Sequence, residues 1–124
     1  MSQKILVADD EPNIVISLEY LLKREGYAVL IARDGQEALE TIAREKPDLV
    51  LLDVMMPKKN GFEVCQALRA SEDLPTIKIL MLTAKGRDTD VAKGLALGAD
   101  AYVTKPFSTR ELVQKVEELL RRPA

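Results

Sequence analysis

The chain reads as an α/β domain of five βα units in succession, which implies a parallel sheet with helices on both faces. Short runs of Val, Ile and Leu that do not alternate with polar residues predict strands covered on both sides. Apolar residues at helical spacing lie between those runs, and turn or cap residues stand at the changeovers.

The first strand is expected at Ile5–Ala8, and Pro12 suits the first turn of a helix whose stripe is Ile14, Leu18, Leu21 and Leu22. Gly26 suits a left-handed cap after Glu25. The second strand is Ala28–Ala32, and Asp34-Gly35 marks the turn into a helix striped by Ala38, Leu39, Ile42 and Ala43, which Pro47 ends. Leu49–Leu52 is the third strand, and helix-pattern residues that include Cys65 follow it. Ile77–Leu82 is the fourth. Its helix is weakly specified, with Gly94 inside it and mostly small apolar residues, and Gly98 closes it. After a fifth strand at Ala101–Val103, Ser108 and Glu111 form a capping-box pattern before Leu112, Val113, Val116, Leu119 and Leu120.

With 124 residues the chain is expected to be one domain, 1–124, large enough for a real core and too small for two. Lys and Arg total 18 against 20 for Asp and Glu, so the net charge is −2 and no basic field exists to hold a phosphate backbone. Direct nucleic-acid binding is therefore not expected. The longest apolar runs fall far short of a membrane span. Met1-Ser2-Gln3-Lys4 leads straight into a strand-like run, so no signal or transit peptide is expected and the cytoplasm is the expected location. A single cysteine, Cys65, excludes an internal disulfide and is expected to be a small buried hydrophobe. Histidine is absent, which removes every histidine triad, imidazole base and histidine metal site within the chain.

In an open α/β sheet, function collects outside the carboxyl ends of the strands. Those ends carry Asp9-Asp10-Glu11, Asp53, Thr83 and Lys105-Pro106. Each has an ordinary reading: acids at a helix start, an Asx turn, a helix cap, a solvated lysine. Their conjunction does not. Clustered carboxylates repel and are tolerable at one rim with a cation between them. Oxygen ligands without histidine or a thiolate pair favour a hard ion, Mg²⁺ first and Mn²⁺ as the alternative.

These residues resemble the receiver domain of bacterial two-component response regulators, from Lys4 to about Arg121. The matching pieces are Val7-Ala8-Asp9-Asp10-Glu11-Pro12, Leu52-Asp53-Val54-Met55-Met56-Pro57 with Gly61, and Leu82-Thr83-Ala84. They continue with Gly98-Ala99-Asp100-Ala101-Tyr102 and Thr104-Lys105-Pro106-Phe107, the last with some likeness to the winged-helix transcription-factor branch. The resemblance implies a doubly wound, flavodoxin- and CheY-like sheet of order 2-1-3-4-5. It makes Asp53 the phosphoacceptor, with Asp10, Asp53 and the Met55 backbone carbonyl as metal ligands and Asp9 acting through a metal-bound water. Lys105, the Thr83 hydroxyl and the Ala84 amide would hold phosphoryl oxygens. Thr83 and Tyr102 would form the switch that changes the surface of the fourth helix, fifth strand and fifth helix. The Lys105–Pro106 bond would be cis.

The implied donor is a phosphohistidine on a histidine kinase or phosphotransfer protein. Ile16 and Tyr20, four residues apart opposite the first helix's core stripe, are candidate docking residues, as are Pro106 and Phe107. The output is a downstream protein or an effector domain of a longer, DNA-binding regulator, acting as a monomer or as a homodimer formed on phosphorylation. Ala101 and Lys115 stand where many transcription-factor members carry Asp and Arg for dimer salt bridges; Asp100, Lys93 and Glu111 remain for such pairs. Met55 can neither orient water nor accept its proton, which predicts slow autodephosphorylation. The rival is a haloacid-dehalogenase-type phosphatase. It is disfavoured because Asp53 follows the third strand and Met55 occupies the place of that enzyme's second acid. The chain is thus expected to signal rather than turn over a substrate.

Overall fold

The computed structural model describes residues 3–71, 76–84 and 86–122. Met1, Ser2, Pro123 and Ala124, at the two chain ends, lie outside them. Strands β1 (Lys4–Ala8), β2 (Ala28–Ala32), β3 (Leu49–Asp53), β4 (Lys78–Ala84) and β5 (Ala101–Lys105) alternate with helices α1 (Pro12–Arg24), α2 (Gly35–Glu45), α3 (Gly61–Ala70), α4 (Asp88–Ala96) and α5 (Thr109–Arg121). The strands are parallel in the order β2-β1-β3-β4-β5, the doubly wound arrangement that was expected.

Strand parity divides the core. Leu6, Val50, Leu52, Ile79 and Met81 face α2 and α3 with Ile42, Val64, Cys65 and Leu68. Ile5, Val7, Leu49, Leu51, Leu80, Leu82 and Val103 face α1 and α5 with Leu18, Leu22, Leu112 and Val116. The central β3 is buried throughout. β2 and β5 are only part-buried, because the order leaves them at the sheet edges, so the expectation of strands covered on both faces holds for the inner three.

The local differences have local causes. In α2 the buried set includes Thr41 with Ile42, and Ala43 is exposed, so that stripe sits one residue earlier than its apolar letters suggest. Asp34 caps α2 by accepting from the Glu37 N–H at 2.8 Å, and α2 ends on Lys46 in the left-handed region (φ 46°), ahead of Pro47. Ser108 accepts from the Glu111 N–H at 3.0 Å. The reciprocal capping box occurs instead at Asn60 and Glu63, at the start of α3. Gly26 and Gly98 take positive φ, as a left-handed exit from α1 and α4 requires. α4 has no side-chain cap, and Gly94 is its buried residue, so it is the helix least held by the core.

The strands also run further than their apolar letters. β3 ends on Asp53, β4 contains Thr83 and Ala84, and β5 ends on Lys105. Asp53, Thr83 and Lys105 are therefore fixed by sheet hydrogen bonding, while Asp9, Asp10 and Glu11 stand between β1 and α1. No helix among the described residues is long and apolar enough to cross a membrane.

Candidate functional site

Neighbouring strand ends meet at one rim because the register aligns Asp53 with Leu82, and Ala84 with Lys105. Asp9 follows β1 directly, and its N–H donates to the Ala32 carbonyl at 3.1 Å, which extends the β1–β2 pairing by one residue. Asp9 is fully buried and Asp53 is 6% exposed, while Asp10 is exposed. One carboxylate oxygen from each of Asp9, Asp10 and Asp53 lies within 4.8 Å of the others.

Lys105 is the cation that holds these acids together. Its ammonium donates to Asp9 Oδ2 at 3.0 Å and to Glu11 Oε1 at 3.1 Å, and it lies 3.3 Å from Asp53 Oδ1. Asp9 Oδ1 accepts the Glu11 N–H at 2.9 Å, which turns the start of α1 over the rim. Burial first, and the Asp9 charge second, push the Asp53 carboxyl up to about 6 against the pull of Lys105 and a hydrogen bond from the Met55 backbone. Burial lowers the Lys105 ammonium, but its hydrogen bond to Asp9 and the charges of Asp53 and Asp9 outweigh that, and its pKa is raised. A rim of carboxylates in which two are buried, with oxygen donors alone, fits a hard divalent cation.

Thr83 is 1% exposed, and its Oγ1 is the buried side-chain polar atom without a hydrogen-bond partner among the described residues. An unsatisfied buried hydroxyl costs free energy, so a state of the molecule that gives it a partner is favoured by that amount. Ala84 is exposed at the end of β4. Tyr102 on β5 is 41% exposed, so its ring is not packed into the core. The Met55 side chain is exposed at the mouth of the site. Gly61 is required by close approach, because a Cβ there would fall on the Asp53 carbonyl oxygen.

The other expected residues do not touch the acidic cluster in the contacts seen. Ile16 and Tyr20 are exposed on α1, with Arg24 stacked over the Tyr20 ring at 5.8 Å. Pro106, after a cis Lys105–Pro106 bond, is exposed, whereas Phe107 is half-buried against the α1–α5 core and offers a partner less surface than its sequence position suggests. Cys65 is buried and its thiol is pushed up by burial, as a packing residue would be. Asp100 and Lys93, considered for contacts between chains, are engaged within this one. Asp100 Oδ2 accepts from Arg69 at 2.8 Å and from the Ile79 N–H at 2.7 Å, and the Lys93 ammonium sits 4.6 Å from the Phe62 ring centroid.

Two participants were not anticipated from sequence, and a third, Glu11, was expected only as part of the acidic run. Glu11 shares Lys105, and Arg87 and Asp90 line the same cleft of about 390 Å³ as Asp53 and Lys105. The signal existed, since Arg87 and Asp90 follow the carboxyl end of β4, but ion pairs at a helix start are ordinary and drew no notice.

The family model described as the response regulator receiver domain matches residues 5–117. The chain is 54% identical over 122 residues to the alkaline phosphatase synthesis transcriptional regulatory protein PhoP of Bacillus subtilis (strain 168), covering 98% of this chain and 50% of that one. It thus spans about half the length of that relative. Among solved structures it is similar to the Vibrio cholerae chemotaxis response regulator CheY4, with TM-score 0.90, 32% identity, and coverage of 96% of this chain and 99% of that one. It is also similar to the receiver domain of a sensor histidine kinase from Pseudomonas aeruginosa PAO1, solved with a magnesium ion coordinated in its active-site cleft. That match has TM-score 0.90 and 29% identity, and covers 98% of this chain and 100% of that one.

Proposed function

The chain belongs to the response regulator receiver family, and from that premise we propose that Asp53 is its phosphoacceptor and Thr83 and Tyr102 its switch. The observation that carries the reading is a buried Asp53, held 3.3 Å from Lys105 beside two further aspartates, on a rim that also carries a buried hydroxyl without a partner among the described residues. An Asp53 carboxylate oxygen attacks phosphorus, the bond from phosphorus to the donor breaks, and the donor leaves with the electron pair and takes up a proton. Asp10, Asp53 and the Met55 carbonyl would hold Mg²⁺ (or Mn²⁺), with Asp9 contributing through water; the ion supplies charge neutralisation for the transferring group. Lys105 binds a phosphoryl oxygen as its grip on Asp53 is replaced, and the Ala84 N–H and Thr83 hydroxyl hold another. Catalysis of this kind is positioning and electrostatics, which suits a chain without histidine. Thr83 gains the partner it lacks by moving toward the phosphoryl group, and the exposed Tyr102 ring can follow into the space it leaves.

The donor is a phosphohistidine of a cytoplasmic histidine kinase or phosphotransfer protein, and Ile16, Tyr20 and Pro106 are the exposed points offered for docking. Alanine at Ile16 and Tyr20 together should slow transfer from the kinase and leave acetyl phosphate uptake unchanged. The 54% identity to PhoP, a transcriptional regulatory protein, favours output through an effector domain. The test of the acceptor is the intact mass after incubation with acetyl phosphate and Mg²⁺. Wild type should gain one phosphoryl group, and Asp53→Ala should gain none. Equal modification of both, or of neither, overturns the assignment.

A further inference from the structure

The cleft over Asp53 holds a second cation that the roles above do not use. Asp10, Glu11, Asp53 and Asp90 line it as acids, and Lys105 and Arg87 line it as bases. Lys105 is already divided among Asp9, Glu11 and Asp53. Phosphorylation adds about −1.5 to −2 charges and strong acceptor oxygens in this cleft, by analogy with other phosphorylated side chains. Among the described residues, that one ammonium, already shared three ways, leaves part of the addition to the divalent ion and to a further cation in the cleft.

Arg87 is placed to supply the remainder. Its guanidinium is forked onto Asp90, with Nε 2.9 Å from Oδ2 and a terminal nitrogen 3.4 Å from Oδ1. The second of these is long, so the fork is poorly closed. The Arg87 side chain is 57% exposed and the Asp90 side chain 14%, so the guanidinium can turn without opening the core. Arg87 also occupies the junction of β4 and α4. Its N–H donates to the Ala84 carbonyl at 3.2 Å, and its carbonyl accepts the N–H groups of Asp90 and Val91 at 3.0 and 3.2 Å. An Asp90 released from Arg87 stays near the positive end of the α4 dipole, which limits the cost of the exchange.

Resting on the assignment of Asp53 as acceptor, we propose that Arg87 is a second phosphoryl-binding cation, kept in reserve by Asp90 and handed to the phosphorylated Asp53 side chain. Occupancy of Asp53 thereby loosens the first turn of α4, the helix least held by the core. The fork geometry of arginine suits two phosphoryl oxygens, which a lysine meets only as a point charge.

The experiment measures beryllofluoride affinity, a phosphoryl mimic, by calorimetry on the full chain with saturating Mg²⁺. Arg87→Ala should weaken binding about tenfold, the equivalent of one charge-assisted hydrogen bond discounted for a half-exposed partner. Arg87→Lys should recover part of that loss. Asp90→Asn, which frees Arg87, should strengthen binding about threefold, and should do nothing in an Arg87→Ala background. In wild type, hydrogen exchange across 88–96 should rise on binding, and in Arg87→Ala it should not. Binding by Arg87→Ala within about twofold of wild type, or an Asp90→Asn effect that survives without Arg87, overturns the proposal and leaves the acceptor assignment standing. Failure of the wild type to bind beryllofluoride overturns both.

Discussion

Asp53 is expected to cost the metal-free protein stability. Its carboxyl stands at about 6 in the folded chain against an ordinary 3.8, because burial and Asp9 oppose its charge more than Lys105 favours it. The sign follows from linkage: below the ordinary value the group is protonated in both states and nothing is lost. As pH rises through 3.8 and on to about 6, the unfolded chain sheds its proton first and stability falls. The difference of about two units, at about 1.36 kcal/mol each, sets a cost near 3 kcal/mol at pH 7 and about 1 kcal/mol at pH 4.5. Asp53→Asn, which keeps the shape without the charge, should therefore be the more stable protein in chelator at pH 7. For a chain of this length about 4 °C accompanies each kcal/mol, so the melting temperature should rise by about 12 °C at pH 7 and by about a third of that at pH 4.5. Saturating Mg²⁺ should narrow the gap, since a cation bound by the wild-type aspartates stabilises that protein. Paired thermal melts across pH, with chelator and with Mg²⁺, read all of this. A variant no more stable than wild type at pH 7, or one whose advantage is the same at pH 4.5, refutes the reasoning.

Gly61→Ala should cost about 1–3 kcal/mol in a denaturant melt and slow uptake from acetyl phosphate, because its new Cβ displaces the Asp53 carbonyl; unaltered uptake would separate Gly61 from the site. Thr83→Val removes a buried hydroxyl that has no partner, so unphosphorylated stability should hold or rise by up to about 1 kcal/mol. The same variant should lose the beryllofluoride-induced shift of the Tyr102 ring resonances, and a preserved shift would place the switch elsewhere. Met55→Asn puts a water-orienting amide at the mouth of the site and should shorten the acyl phosphate's lifetime about tenfold, followed by intact mass; an unchanged lifetime counts against the role given to Met55.

The sequence made the architecture and the rim legible for physical reasons that particular residues show. Unalternating runs such as Leu49–Leu52 are diagnostic when both faces of a strand are covered, and β3 is buried at every position. Asp9, Asp53, Thr83 and Lys105 stood out because polar residues at buried strand ends need a reason. Arg87 and Asp90 did not, because a charge at a helix start is usually solvated, and only the packed cleft shows which one faces inward. The phase of α2 and the engagement of Asp100 by Arg69 were hidden for the same reason: both are settled by tertiary neighbours that no local window contains.

The arrangement also explains how one domain tolerates a site that works against its stability. Asp53 and Lys105 continue the parity of Leu51 and Val103 toward α1 and α5, while Thr83 continues that of Met81 toward α3 and α4. Asp53 and Lys105 are thus tied to one core layer and the Thr83 hydroxyl to the other. On the proposed assignment, a phosphoryl group on Asp53 meets Lys105 from its own layer and the Thr83 hydroxyl from the other. α4, uncapped and with Gly94 as its buried residue, is the element on that side that can yield. If Asp53 is the acceptor as proposed, the hydroxyl without a partner among the described residues would give the phosphorylated state something to gain, and the weakly held helix would keep the cost of reaching it low.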